Sequence, residues 1–243
     1  MIEVQELHKS FGEVKALRGV SFVARDGEIT GLLGPNGAGK TTTLRILTTV
    51  LSADQGRTLV DGLDASKEPL AVRSRLGALP HAHGLYPRLT AREHVRYFGE
   101  LHGLRGAELA RRTDELLDML EMKDVADRRA EGFSQGQQLR VAIARALVHS
   151  PRNVVLDEPT AGLDVPGTRT MRRLIGRLKD EGRCVLFSSH VMQEVTALCD
   201  RVVVIARGTV VADGTLEELR QKTGREDIED AFVAAIGSGE GLQ

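Results

Sequence analysis

The residues Gly34, Pro35, Asn36, Gly37, Ala38, Gly39, Lys40 and Thr41 fit the pattern G-x-x-x-x-G-K-[ST], with Thr42 directly after it. Glycines at these positions let the backbone turn its N–H groups inward toward an anion, which a Cβ would obstruct. Lys40 adds a point charge suited to β- and γ-phosphates, and the Thr41 hydroxyl can ligate Mg²⁺. A chance match of this pattern occurs in fewer than about one chain in a hundred of this length. The flanks agree with the chemistry. Residues Glu28 to Leu33 read as a buried strand, and Thr42 to Val50 as the helix that follows. Strand, loop and helix N-terminus would seat a phosphate on the positive end of the helix dipole. The run from Gly34 to Thr42 is therefore the candidate nucleotide site, with Mg²⁺ beside it, and taken alone it leaves kinases, GTPases and motor ATPases open.

Four further segments carry polar groups at chemically useful places. Val154-Val155-Leu156-Asp157-Glu158 is an apolar strand ending in two carboxylates. Successive side chains of a strand point to opposite faces. Asp157 can thus serve the metal shell while Glu158 faces an attacking water as general base. The bland alternative is a solvated acidic turn before Pro159. In Phe133-Ser134-Gln135-Gly136-Gln137, Ser134 and Gly136 put a hydroxyl and free N–H groups at the start of an apolar helix, a second anion site. A plain helix cap would explain Ser134 equally well. Ala161-Gly162-Leu163-Asp164 follows the carboxylate strand, and Ser188-Ser189-His190 ends the next one. In isolation His190 reads as a surface or structural histidine.

These groups need a scaffold, and the 243 residues with 41% apolar content suffice for one large domain with a sizeable core. The net charge of −1 gives no basic footprint for nucleic acid. No apolar run approaches the roughly 18–20 residues that span a bilayer, and the N-terminus lacks the features of a signal peptide. Cys184 and Cys199 read as buried small hydrophobes in a strand and a helix. Ile2–Leu7, Val20–Ala24 and Thr58–Val60, the last followed by an Asp61-Gly62 turn, predict antiparallel strands around the nucleotide site. From Thr90 to about Asp127, apolar residues at spacings of three, four and seven predict amphipathic helices broken at Gly103–Gly106. Two apolar runs, Asn153–Asp157 and Cys184–Ser188, predict parallel strands covered on both faces, each preceded by a helix (137–149 and 166–180). Val202–Ala206 and Thr209–Ala212 predict a hairpin through Arg207-Gly208. The tail after Thr223 is acidic, turns Gly-rich from Gly237 and is expected to fray.

The order of phosphate loop, helical stretch, Phe-Ser-Gln-Gly-Gln, Leu-Asp-Glu-Pro, Gly-Leu-Asp and Ser-His resembles the ATP-binding subunit of an ABC transporter over nearly the whole chain. Within that family, Leu85–Thr90 and Tyr97–Gly103 are similar to the export-type ATPases for sodium and drugs. The resemblance implies an α/β fold: a P-loop NTPase core with a mainly parallel sheet, an N-terminal antiparallel β sub-domain and a helical sub-domain inserted at about 85–150. Residues 1–236 would form one ATPase domain and 237–243 a flexible tail. It further implies a head-to-tail dimer holding two ATP molecules, each between one chain's loop and the other chain's Ser134, Gly136 and Gln137. Phe11 matches the aromatic that stacks on adenine, with a core position in the β sub-domain as the alternative. Asp164 would cross the dimer interface and His190 would contact the γ-phosphate, joining Lys40 and Glu158 as catalytic residues. Partner and place follow likewise: an integral-membrane permease, at the cytoplasmic face of the cell membrane. The rival is a soluble ABC ATPase acting on nucleic acid or the ribosome.

One departure stands out. The family usually carries Gln near residue 81, where it touches Mg²⁺ and the attacking water, and this chain has His81. A neutral imidazole offers one donor and one acceptor in a different geometry, and it changes charge near neutrality. Phe133 and Gln135 also replace the common Leu and Gly of the signature, at positions not expected to touch phosphate.

Overall fold

The computed structural model describes residues 1–82 and 84–237. The expected fraying beyond Gly237 falls on residues 238–243, which lie outside the described part. The chain opens with β1 (Ile2–Phe11), β2 (Val14–Ala24) and β3 (Ile29–Leu33), then helix α1 (Lys40–Leu47). Strands β4 (Gln55–Val60) and β5 (Leu63–Asp64), helix α2 (Pro69–Arg75) and strand β6 (Leu76–Leu79) follow. Next come the helices α3 (Ala91–Leu101), α4 (Gly106–Met119) and α5 (Gln135–Leu147). The α/β pattern resumes with β7 (Asn153–Asp157), α6 (Val165–Asp180), β8 (Cys184–Ser189), α7 (Met192–Leu198), β9 (Arg201–Ala206) and β10 (Thr209–Gly214). Helices α8 (Leu216–Thr223) and α9 (Ile228–Ile236) close the described chain.

The strands form two sheets. One is antiparallel in the order β2-β1-β4-β5; the other runs β10-β9-β3-β8-β7-β6, parallel except for the β9–β10 pair. Both predicted turns use two residues with positive φ: Asp61 at 49° with Gly62 at 80°, and Arg207 at 50° with Gly208 at 80°. That geometry matches the right-handed twist of a two-residue hairpin.

Period-two alternation in the six-stranded sheet explains why its strands are apolar throughout. Val154 and Leu156 of β7 and Val185 and Phe187 of β8 face one core with Val95 of α3, Leu116 of α4, Leu139 of α5 and Ile175 of α6. Val155 and Leu186 face the opposite way, onto a second core with Leu44 and Leu47 of α1 and the inner face of β1 and β2. Each face has its own cover, so polar residues gather toward the strand ends, with Thr30 inside β3 as an exception.

Three readings are corrected. Phe11 is 49% exposed at the β1–β2 hairpin, so it is no core residue. Cys199 lies at the C-cap of α7 rather than inside a helix. The acidic stretch after Thr223 contains α9, capped by Asp227, whose Phe232 packs against Val195 and Val204.

Candidate active site

Four parallel strands end at one edge of the sheet, and the register levels their last residues. Leu33 pairs Ser189, Asp157 pairs Ser188, and Leu79 pairs Leu156. Consequently the loop after β3, Asp157 and Glu158 at the end of β7, Ser188 to His190 at the end of β8 and His81 after β6 meet at this edge. Ligand sites of open α/β sheets form outside the carboxyl ends of the strands.

The loop 34–39 is built for close backbone approach. A Cβ on Gly34 would stand 2.2 Å from the Ile205 carbonyl oxygen. Gly39 has φ +111°, and a Cβ there would meet Leu17 Cδ2 at 2.7 Å and the Ala16 carbonyl at 2.9 Å. No side chain caps α1, so its first N–H groups face the loop. An uncapped helix start beneath a glycine turn is an anion site, and a polyphosphate fits it. Lys40 is buried and donates to the carbonyls of Gly34 (2.6 Å) and Pro35 (3.0 Å). Burial holds its ammonium below the ordinary lysine value, with Glu158 and Asp157 pulling the other way. An ammonium has three donors, so phosphate oxygens can take over these bonds.

Thr41 Oγ1 lies 3.5 Å from Asp157 Oδ1, two hard oxygens on facing elements. Neighbouring ligands of an octahedral Mg²⁺ stand about 3 Å apart. A site with one hydroxyl and one carboxylate suits an ion that takes its remaining ligands from phosphate and water. Glu158 has a φ of +53° and a side chain 17% exposed. His190 Nδ1 is 3.1 Å from its Oε1 and His81 Nδ1 is 3.5 Å from its Oε2. The carboxylate thus lies between two exposed imidazoles at this edge of the sheet.

The other predicted residues lie elsewhere. Ser134 and Gln137 form a reciprocal capping box at the start of α5, and the Asp164 carboxylate caps α6 through the Gly167 N–H at 2.8 Å. With Gly136, they line a cleft of about 680 Å³ between α5, α6 and the end of α4; none of its described lining residues belongs to 34–42. Phe11 pairs Val14 across the hairpin, two residues before the Ala16 whose carbonyl abuts Gly39. Lys9 Nζ lies 5.7 Å from its ring centroid.

The sequence places Ser188 in the Ser188-Ser189-His190 segment without assigning it a role; in the structure it is fully buried and bonded at both carboxylate positions, its hydroxyl donating to Asp157 Oδ1 at 2.6 Å and accepting the Glu158 N–H at 3.0 Å. A hydroxyl closing an otherwise apolar strand was the available signal.

A phosphate loop facing a carboxylate pair across one strand is the layout of a P-loop nucleotidase, and comparison with known proteins decides which kind. The family described as ABC transporter matches residues 17–161. The chain belongs to the ABC transporter family. It is 45% identical to the ABC transporter ATP-binding protein NatA of Bacillus subtilis over 93% of this chain and 92% of NatA. It is 34% identical to the linearmycin resistance ATP-binding protein LnrL of the same organism, over 98% of this chain and 79% of LnrL. Among solved structures, the ATP-binding subunit of an ABC transporter superposes with a TM-score of 0.90 at 29% identity, covering 97% of this chain and 99% of that one. The dimeric bacterial cassette MJ0796 superposes at 0.81 with 28% identity, covering 88% and 98%. This ABC protein is therefore an ATP-binding, ATP-hydrolysing subunit of a transporter. Among the described residues no helix is long and apolar enough to cross a membrane.

Proposed function

We propose that this ABC ATPase hydrolyses ATP·Mg²⁺ within a head-to-tail pair of chains and so powers export through a separate integral-membrane permease. Sodium or a drug-like compound is the cargo. The observation that carries the reading is the placement of Glu158 between His190 and His81, beside Asp157 and the loop holding Lys40. Phosphoryl transfer needs positioning and charge stabilisation more than covalent help. Lys40 and the loop N–H groups hold the β- and γ-phosphates. Thr41 and Asp157 hold the Mg²⁺, which neutralises charge on the phosphates. Glu158 orients and deprotonates the attacking water, and His190 supports the γ-phosphate.

The pairing of two chains is supported by the distribution of the motifs. Ser134, Gly136, Gln137 and Asp164 border a cleft that excludes the loop, so a second copy is needed to bring them to the phosphates. The dimeric form of MJ0796 supports the same reading. Phe11, exposed beside the loop, is the adenine stacking platform. ATP contacts both chains only in the closed pair, and this differential affinity drives closure.

Permease docking is assigned to Leu85–Gly103. Tyr86, Tyr97 and Leu101 are exposed there, and Tyr97 meets Tyr86 and Phe98 edge-on at 6.1 and 5.4 Å. A rigid aromatic patch of this kind suits an anchoring helix. Docking would hold the chain peripherally at the cytoplasmic face of the membrane. The linearmycin resistance function named for LnrL supports a drug-like cargo, and the likeness to sodium exporters supports the ion. The test is affinity purification of Glu158→Gln from solubilised membranes with Mg-ATP. A polytopic membrane protein recovered in near-equal amount is the expected result. A clean soluble pair, or a ribosomal or DNA-bound complex, removes the exporter reading and leaves the ATPase chemistry.

A further inference from the structure

We propose that Ser188 is a positioning residue that ties the metal-side carboxylate of Asp157 to the base Glu158 through one hydroxyl. The inference rests on the roles assigned above to those two acids. Ser188 is fully buried at the end of β8 and faces Asp157 in the parallel register. A hydroxyl has one proton and two lone pairs. The Glu158 N–H can only donate, so it takes a lone pair of Ser188 Oγ at 3.0 Å, and the Ser188 proton goes to Asp157 Oδ1 at 2.6 Å. That separation is in the range of strong hydroxyl–carboxylate bonds.

Both ends of this link need holding. Glu158 is a non-glycine residue at φ +53°, a conformation that persists only where the surroundings enforce it. Its N–H is fixed by Ser188 and its carbonyl accepts the Ala161 N–H at 3.1 Å. At Asp157, the Ser188 proton occupies one side of Oδ1 and fixes the carboxylate's rotation, aiming the same oxygen at Thr41. Charge drawn from Asp157 toward a bound cation is felt by the hydroxyl that also seats Glu158. Metal binding and base alignment are thereby joined across two adjacent strands, independently of His190 and His81, which grip the other end of Glu158.

The test compares Ser188→Thr with Ser188→Val, which share a shape and differ in the hydroxyl. Turnover is measured together with a readout that needs no turnover: the Mg²⁺ concentration that half-completes the ATP-dependent rise in unfolding temperature. The Thr variant should stay within about threefold of the parent in both. The Val variant should lose about 10–100-fold in kcat with KM for ATP changed less than threefold, and its Mg²⁺ midpoint should rise several-fold. Identical Thr and Val variants overturn the proposal. A fall in kcat with an unmoved Mg²⁺ midpoint also overturns it, because the hydroxyl would then serve Glu158 alone. Should the added methyl unfold both, Ser188→Ala, which adds no bulk, repeats the comparison against the parent with the same two outcomes. Equal turnover of Glu158→Gln and parent would instead remove the underlying assignment, whatever the Ser188 variants do.

Discussion

His190 presents Nδ1 to Oε1 of Glu158 at 3.1 Å, so the residue that follows β8 holds the acid that follows β7. The two come from neighbouring parallel strands whose ends are level, and a strand shift of one residue would separate them. Glu158→Gln keeps the size and one acceptor but cannot take a proton. Its kcat should fall by about 10²–10⁴-fold with ATP affinity retained, and it should accumulate as a pair of chains with Mg-ATP. Phosphate release and sizing chromatography measure this; turnover equal to the parent would reject Glu158 as the base.

His81 is the departure most open to test. Its side chain is 59% exposed and stands 3.5 Å from Glu158 Oε2. A glutamine amide offers its donor and acceptor in a different geometry from the ring nitrogen that stands beside that oxygen. His81→Gln should therefore change kcat at fixed pH while ATP-dependent thermal stabilisation is retained. Turnover equal to the parent's would remove His81 from the reaction.

Gly39→Ala should disable the nucleotide site more than the fold. The position has φ +111°, and the new Cβ would press on Leu17 and the Ala16 carbonyl. Strain of about 1–3 kcal/mol at such a residue is relieved by moving the loop. ATP-dependent thermal stabilisation should largely vanish, while unfolding without nucleotide shifts by only several degrees. Parent-like stabilisation by ATP would show that the loop tolerates the side chain.

Acid should destabilise the helical region through His149. Its ring stacks on His102 at 3.6 Å, and burial, helped by His102, Arg112 and Arg183, pushes its pKa down to about 4. Burial also lowers His102. An unfolded histidine takes up its proton near 6.5, so between about pH 6.5 and 4 the unfolded chain binds more protons than the native one. Stability is present above that window and lost as pH falls through it, by on the order of 1–3 kcal/mol. His149→Phe keeps a stacking ring and removes the titration, so its unfolding temperature should fall less than the parent's from pH 7 to 5. Parallel declines would refute this.

Much of the site was readable because its signals are local. Gly34 to Thr41 form a contiguous cradle, and the Asp61-Gly62 and Arg207-Gly208 turns announce their own geometry. Phe11 was ambiguous because an aromatic at a strand end suits a core and a binding face alike; only its exposure separates them. Strand β6 and helix α2 were not read at all, since four-residue and seven-residue elements give too little periodicity.

By itself the sequence determined the chemical inventory: which residues can cradle phosphate, which can hold a cation, and which strands must be covered on both faces. Residue types and short spacings carry that information directly. The tertiary structure decided who meets whom. It set β6, β7, β8 and β3 side by side, brought His81 and His190 to opposite oxygens of Glu158, and placed the Ser188 hydroxyl between Asp157 and Glu158. These contacts join residues 30 or more positions apart, across strand pairings that no local pattern specifies. They exist because long-range burial of the two cores fixes the order and register of the sheet.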